Sequence, residues 1–111
     1  MHKEDSLQMA VARYLDFLNV TWCHVANERK ASFQAGARLK KKGVKPGVPD
    51  CIIFQANGTH NGLALELKIK PNKPTDNQKE WLGKLKKLNW KDAVVYSFDE
   101  AKVVIDEYFK A

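Results

Sequence analysis

Two short apolar runs, CIIF at residues 51–54 and LALELKI at residues 63–69, constrain this chain more than any other feature. Between them stands Asn57-Gly58, a dipeptide that readily takes the positive φ angles of a tight hairpin turn. Runs this short read as strands rather than as helices with a buried face. The spacing therefore predicts an antiparallel pair. In the second run the period is two: Leu63, Leu65, Leu67 and Ile69 face one way, and Ala64, Glu66 and Lys68 the other. Asp50 follows Pro49 and opens the first strand. The hairpin thus brings two acids and an amine within reach of one another.

The flanking segments predict an α/β, or α+β, fold. Leu7, Val11, Tyr14, Leu15 and Leu18 recur at helical spacing across residues 5–19 and form one apolar stripe. At ~100° per residue, Glu4 projects near the middle of that stripe, Gln8 lies at its edge, and Asp5, Arg13 and Asp16 fall on the polar side. A carboxylate on the core-facing side of a helix is unusual. VTWCHVA at 20–26 reads as a short strand. The polar, basic, glycine-punctuated segment 27–47 reads as loop with at most one short helical turn. After PNKP at 71–74, Thr75 and Gln78 have the form of a capping box. The helix they start carries Trp81, Leu82, Leu85 and Leu88 on its apolar face. DAVVYSF at 92–98 reads as a strand, and Asp99 as the cap of a last helix that buries Ala101, Val104, Ile105 and Tyr108. The order α-β-β-β-α-β-α describes a mixed sheet with helices packed on it. With 111 residues, no internal repeat and no long linker, residues 1–111 are expected to form a single domain.

No run approaches the ~18 apolar residues of a membrane span, and MHKEDSLQ lacks the apolar core of a secretory signal. Cys23 and Cys51 do not make a disulfide framework. An intracellular protein without a membrane association is expected. Lys and Arg outnumber Asp and Glu by 19 to 13, a net charge of +6, which suits a polyanion such as DNA or RNA and equally a solubilising surface. The distribution is more informative. RLKKKGVK at 38–45 holds Arg38, Lys40, Lys41, Lys42 and Lys45 with no acid among them, and a second group contains Lys70 and Lys73. Both lie close in sequence to Asp50 or Glu66.

Two carboxylates at one place repel unless a proton or a cation sits between them. Their oxygen atoms suit the hard cations Mg²⁺ and Mn²⁺, and a nearby lysine can orient or activate a water that attacks a phosphate. Ordinary structural roles exist for each residue alone. Glu66 and Lys68 can be a surface ion pair, Asp50 a turn residue, Glu4 an acid at a frayed helix start, Gln78 a cap, and the lysine run a solvated loop. Those roles do not explain why these residues converge on one side of one sheet.

Pro49-Asp50, fifteen residues, then Glu66-Leu67-Lys68 resembles the PD-(D/E)XK nuclease signature. The wider segments GARLKKKGVKPGVPDCIIF, GLALELKIKPNKPTDNQKEWLGKLKKLNW and AVVYSFDEAKVVIDEYF resemble the VRR-NUC family within that superfamily, over roughly residues 26–109. The resemblance implies a restriction-endonuclease-like core and hydrolysis of DNA phosphodiesters. It implies metal binding by Asp50, Glu66 and the backbone carbonyl of Leu67, Lys68 as the catalytic lysine, and Gln78 beside the active site. The family's acid on the first helix corresponds to Glu4, with Glu28 as the competing acid. Cys51 departs from the plain aliphatic residue usual there, and a buried cysteine fills that place as a small hydrophobe.

The resemblance further implies Mg²⁺ or Mn²⁺ as cofactor, phosphate contacts from the basic residues, and an endonuclease acting as a homodimer on branched or structured DNA. Such small members are similar to Holliday-junction resolvases, which implies a role in DNA repair, in the cytoplasm, at the nucleoid or in a virus-encoded setting. The sequence itself marks no dimer interface; Trp22, Phe33 and Trp90 are candidates for one, though residues of these types more often belong to the core. A DNA-binding module that keeps the fold without cutting is the main alternative, and the intact Asp50, Glu66 and Lys68 set argues against it. A zinc site from His2, His24, His60, Cys23 and Cys51 fits no zinc spacing.

Overall fold

The computed structural model describes residues 3–26 and 33–110. Its elements in chain order are α1 (Lys3–Phe17), β1 (Trp22–His24), α2 (Phe33–Lys41), β2 (Cys51–Ile53), β3 (Leu63–Leu67), α3 (Asp76–Lys87), β4 (Lys91–Val95) and α4 (Phe98–Lys110). The four strands form one sheet in sequence order. β1 pairs antiparallel with β2, and β2 antiparallel with β3. β3 and β4 run parallel, so the chain must cross over between them, and α3 makes that crossover. The α/β character and the alternation of elements are those expected from the sequence, with α2 added.

The period of two in β3 sorts the molecule into layers. Leu63, Leu65 and Leu67 are fully buried in a cluster with Leu7, Val11 and Leu15 of α1 and Ala101, Ile105 and Tyr108 of α4. α1 and α4 therefore cover one face. α3 packs against β3 and β4, and Gln78 and Leu82 are its buried residues. The other side chains of β3, Ala64 and Glu66, belong to that second face and are just as buried. A strand covered on both faces has no solvent side, so Glu66 and Lys68 are not a surface ion pair.

Four local expectations differ from the structure. First, α2 is a nine-residue helix where loop was expected. Ala35, Ala37, Arg38, Leu39, Lys40 and Lys41 all favour helix, which outweighs the single Gly36. The helix ends in a Schellman motif: Gly43, at φ +99°, donates to Lys40 O, and Val44 donates to Leu39 O. Second, Asn57-Gly58 is not a two-residue hairpin turn. The register Ile53↔Leu63 leaves residues 54–62 as the connection. Within it the Asn57 side-chain oxygen accepts from the N–H groups of Thr59 and His60, and its amide donates to Tyr108 O. Third, the cap of α4 is Ser97, whose Oγ accepts from Glu100 N–H at 3.1 Å, while the Glu100 carboxylate accepts from Tyr96 N–H. Asp99 lies inside the first turn. Fourth, the strands are shorter at their ends: Phe54 and Ile69 lie outside β2 and β3, and residues 96–98 outside β4. The capping box at the start of α3 forms as expected, Thr75 Oγ1 accepting from Gln78 N–H and Gln78 Oε1 from Thr75 N–H.

Candidate active site

The chain reaches Asp50 through a tight passage. Gly47 has φ +86°, and a Cβ placed on it would lie 2.6 Å from the backbone carbon of Asn77, in the first turn of α3. Only glycine meets both demands. Pro49, fully buried, then delivers Asp50 to the start of β2. Asp50 is held from two strands. Its Oδ2 accepts a 2.7 Å hydrogen bond from Leu67 N–H on β3. Its carbonyl accepts from Val25 N–H at 2.9 Å and lies 2.8 Å from His24 Nδ1, both at the end of β1.

One step beyond the register Cys51↔Leu65, Asp50 stands opposite Glu66. Glu66 is 2% exposed, and Lys68 Nζ lies 3.7 Å from its Oε2. The acidity of Glu66 records this crowding. Burial first, and then the negative charge of Asp50, push its carboxyl up to about 8, against the opposing pull of Lys68. Glu4 adds a further upward push. Two oxygen-donor side chains in this state suit a hard divalent cation, whose charge would relieve the repulsion that otherwise retains a proton.

The three residues singled out from the sequence, Asp50, Glu66 and Lys68, thus meet. Leu67 joins them through its N–H. Gln78 is buried on α3, on the same side of the sheet, with its amide oxygen committed to the Thr75 cap. Glu4 sits at the start of α1 and is felt electrostatically, but among the described residues no three His, Cys, Asp or Glu side chains converge closely enough to hold an ion. Glu28 and His2 lie outside the described residues. Cys51 is buried beside Gln8, whose Nε2 donates to its Sγ at 3.4 Å, and burial pushes the thiol up to about 12. It therefore packs as a neutral group. His24 was not expected in the site; nothing in its sequence context reveals it, because only the pairing of the short β1 with β2 brings it there.

The basic residues expected to contact phosphates are all exposed, unlike Lys68. Arg38, Lys40 and Lys41 are on α2, and Lys42 and Lys45 are on the passage leading to Asp50. Lys70 and Lys73 lie between β3 and α3, with Lys70 Nζ 5.9 Å from the centre of the Tyr96 ring. The close approach of Gly47 to Asn77 joins these two basic segments, one before Asp50 and the other after Lys68.

A mixed sheet with helices on both faces, carrying the buried Glu66 and Lys68 with the half-buried Asp50 beside them at one end of its central strands, defines a nuclease-type α/β domain. The comparisons with known proteins agree. A family model described as the VRR-NUC domain matches residues 2–99, and the chain belongs to that family. A solved VRR-NUC domain protein shares 28% identity, with 99% of this chain and 90% of that one covered, at a TM-score of 0.77. A second solved structure, a VRR-NUC domain, has the same fold at 19% identity, 97% and 99% coverage and a TM-score of 0.67. No curated protein matches the chain.

Proposed function

We propose that this chain is a Mg²⁺- or Mn²⁺-dependent endonuclease that hydrolyses phosphodiester bonds in branched or structured DNA, acting as a homodimer. The observation that carries this reading is the juxtaposition of the buried Glu66 and Lys68 with the half-buried Asp50. A lysine and an acid are costly to bury for packing alone, the more so with a second acid beside them, and all three are groups that metal-assisted phosphate hydrolysis uses.

Asp50 and Glu66 hold the ion, with the Leu67 carbonyl as a further ligand and Glu4 as a residue at the edge of the site. When bound, the ion supplies positive charge to the scissile phosphate and lowers the pKa of a water. Lys68, fixed beside Glu66, places a second positive charge where the phosphate becomes more negative in the transition state. Gln78 completes the wall formed by α3. Arg38, Lys40, Lys41, Lys42, Lys45, Lys70 and Lys73 grip flanking phosphates, which gives affinity and register without sequence choice. Symmetric incision of two strands of a branched substrate calls for two sites related by a two-fold axis, hence a dimer.

The test incubates supercoiled plasmid, linear duplex, a flap and a four-way junction with protein and Mg²⁺ or Mn²⁺. Cleavage is expected on the branched substrates, lost with chelator, abolished in Asp50→Ala and reduced by at least about a hundredfold in Lys68→Ala. Binding of all substrates without cleavage under any of these conditions would make the chain a DNA-binding module instead.

A further inference from the structure

We infer that His24 is a positioning residue for Asp50, holding the backbone from which the metal-binding carboxylate projects; this rests on the proposed role of Asp50. The imidazole Nδ1 lies 2.8 Å from the Asp50 carbonyl oxygen. A carbonyl only accepts, so Nδ1 carries the hydrogen and the neutral ring is fixed as the Nδ1–H tautomer. The same carbonyl takes a second bond from Val25 N–H at 2.9 Å. With the Leu67 N–H on Oδ2, Asp50 has three donors on it, two on the main chain and one on the side chain.

The arrangement has a purpose because Asp50 lies outside β2, whose first residue is Cys51. A single backbone bond, from Val25 N–H, carries the β1–β2 pairing one step on to it. Its place depends on the Gly47 passage before it and on these donors. His24 itself is exposed, so its ring is not there to fill the core. What it adds is a bond whose loss lets the Asp50 main chain shift while β2 stays in register. Groups that hold a metal ligand in place from outside typically change metal affinity by 10- to 100-fold.

The experiment measures Mn²⁺ binding by calorimetry, and metal-free thermal unfolding, for the full chain and the variants His24→Ala, His24→Asn, His24→Gln and Asp50→Asn. Asparagine places an amide donor where Nδ1 stood, whereas glutamine places it near Nε2. The expected result is about tenfold weaker Mn²⁺ binding in His24→Ala and His24→Gln, restoration in His24→Asn, and unchanged metal-free unfolding in all three. Wild-type affinity in His24→Ala overturns the inference. So does an Asn variant as weak as the Ala variant while unfolding normally. Nitrogen-15 NMR of the wild-type imidazole gives an independent reading that needs neither variants nor metal: the Nδ1–H tautomer is expected, and the Nε2–H tautomer would refute the clamp. If Mn²⁺ does not bind the wild type, or binds Asp50→Asn equally well, the metal reading of Asp50 fails, and the tautomer alone decides whether His24 holds that carbonyl.

Discussion

At the scale of single residues, Glu66 is the side chain whose surroundings depart furthest from its ordinary chemistry. Its carboxyl is raised from 4.5 to about 8 in the folded chain. Between those values the folded state binds more protons than the unfolded state, so folding stability falls as pH rises. Below about 4.5 both states are protonated and the effect vanishes; above about 8 the loss is complete. Metal-free protein is therefore expected to unfold at a lower temperature at about pH 8 than at about pH 5.5. Saturating Mn²⁺ should stabilise it more at the higher pH, where no proton competes. Thermal scans of wild type and Glu66→Gln check both points: the variant should show a flatter pH dependence and a smaller Mn²⁺ stabilisation. An equally steep slope in the variant would assign the effect to another group. Glu66 and Lys68 were legible in the sequence because a period of two places them on one face, and Asp50 because it opens the strand that pairs with theirs. His24 was not, because its role depends on a pairing between β1 and β2 across a segment whose composition says little about register. The depth of burial was also hidden, since alternation fits a half-exposed strand as well as one covered twice.

At the scale of elements, the ends are harder to read than the middles. SFDE at 97–100 has the same S/T-x-x-E/Q form that correctly marks Thr75 and Gln78, yet Asp99 reads as the cap because the apolar strand pattern runs on through Phe98. The structure gives a direct comparison: Ser97→Ala should cost about 1 kcal/mol in urea unfolding, and Asp99→Ala only a few tenths through the helix dipole. Equal losses would contradict the cap assignment. In α2 the lysines that read as a solvated loop are also good helix formers, and composition alone does not separate the two. The helix holds Arg38, Lys40 and Lys41 in a fixed relation to one another. Replacing Lys40, Lys41 and Lys42 together by Gln should weaken DNA binding without altering metal-free unfolding. It should also flatten the dependence of log K on log salt by about 0.9 for each phosphate no longer neutralised. Weaker binding with an unchanged slope would mean that these residues act through something other than phosphate.

At the scale of the whole molecule, a mixed sheet with helices packed on it was legible, whereas the coverage of both its faces and the assembly were not. In the folded chain Leu63, Leu65 and Leu67 pack against α1 and α4, and α3 packs against β3 and β4. No comparable pattern marks a second copy. Trp22 and Trp90 are half-buried against their own chain, Trp90 packing edge-on against Phe54 at 6.4 Å. Phe33 is outside the residues whose side chains are described. The homodimer is tested by sedimentation at the concentrations used for cleavage, where the expected species has twice the 12.6 kDa chain mass. A monomer that still makes paired cuts in a four-way junction would remove the dimer from the proposal and leave the chemistry standing.

β3 has one further consequence. Its odd positions build the interior and its even positions carry the reactive groups, interleaved in five consecutive residues and the lysine just after them. Inserting or deleting a single amino acid there would turn leucines toward Asp50 and the Glu66 carboxylate toward the apolar interior in one event. A change of length therefore has no place within this segment. The connections around it are where length can change without exchanging the two sets of side chains.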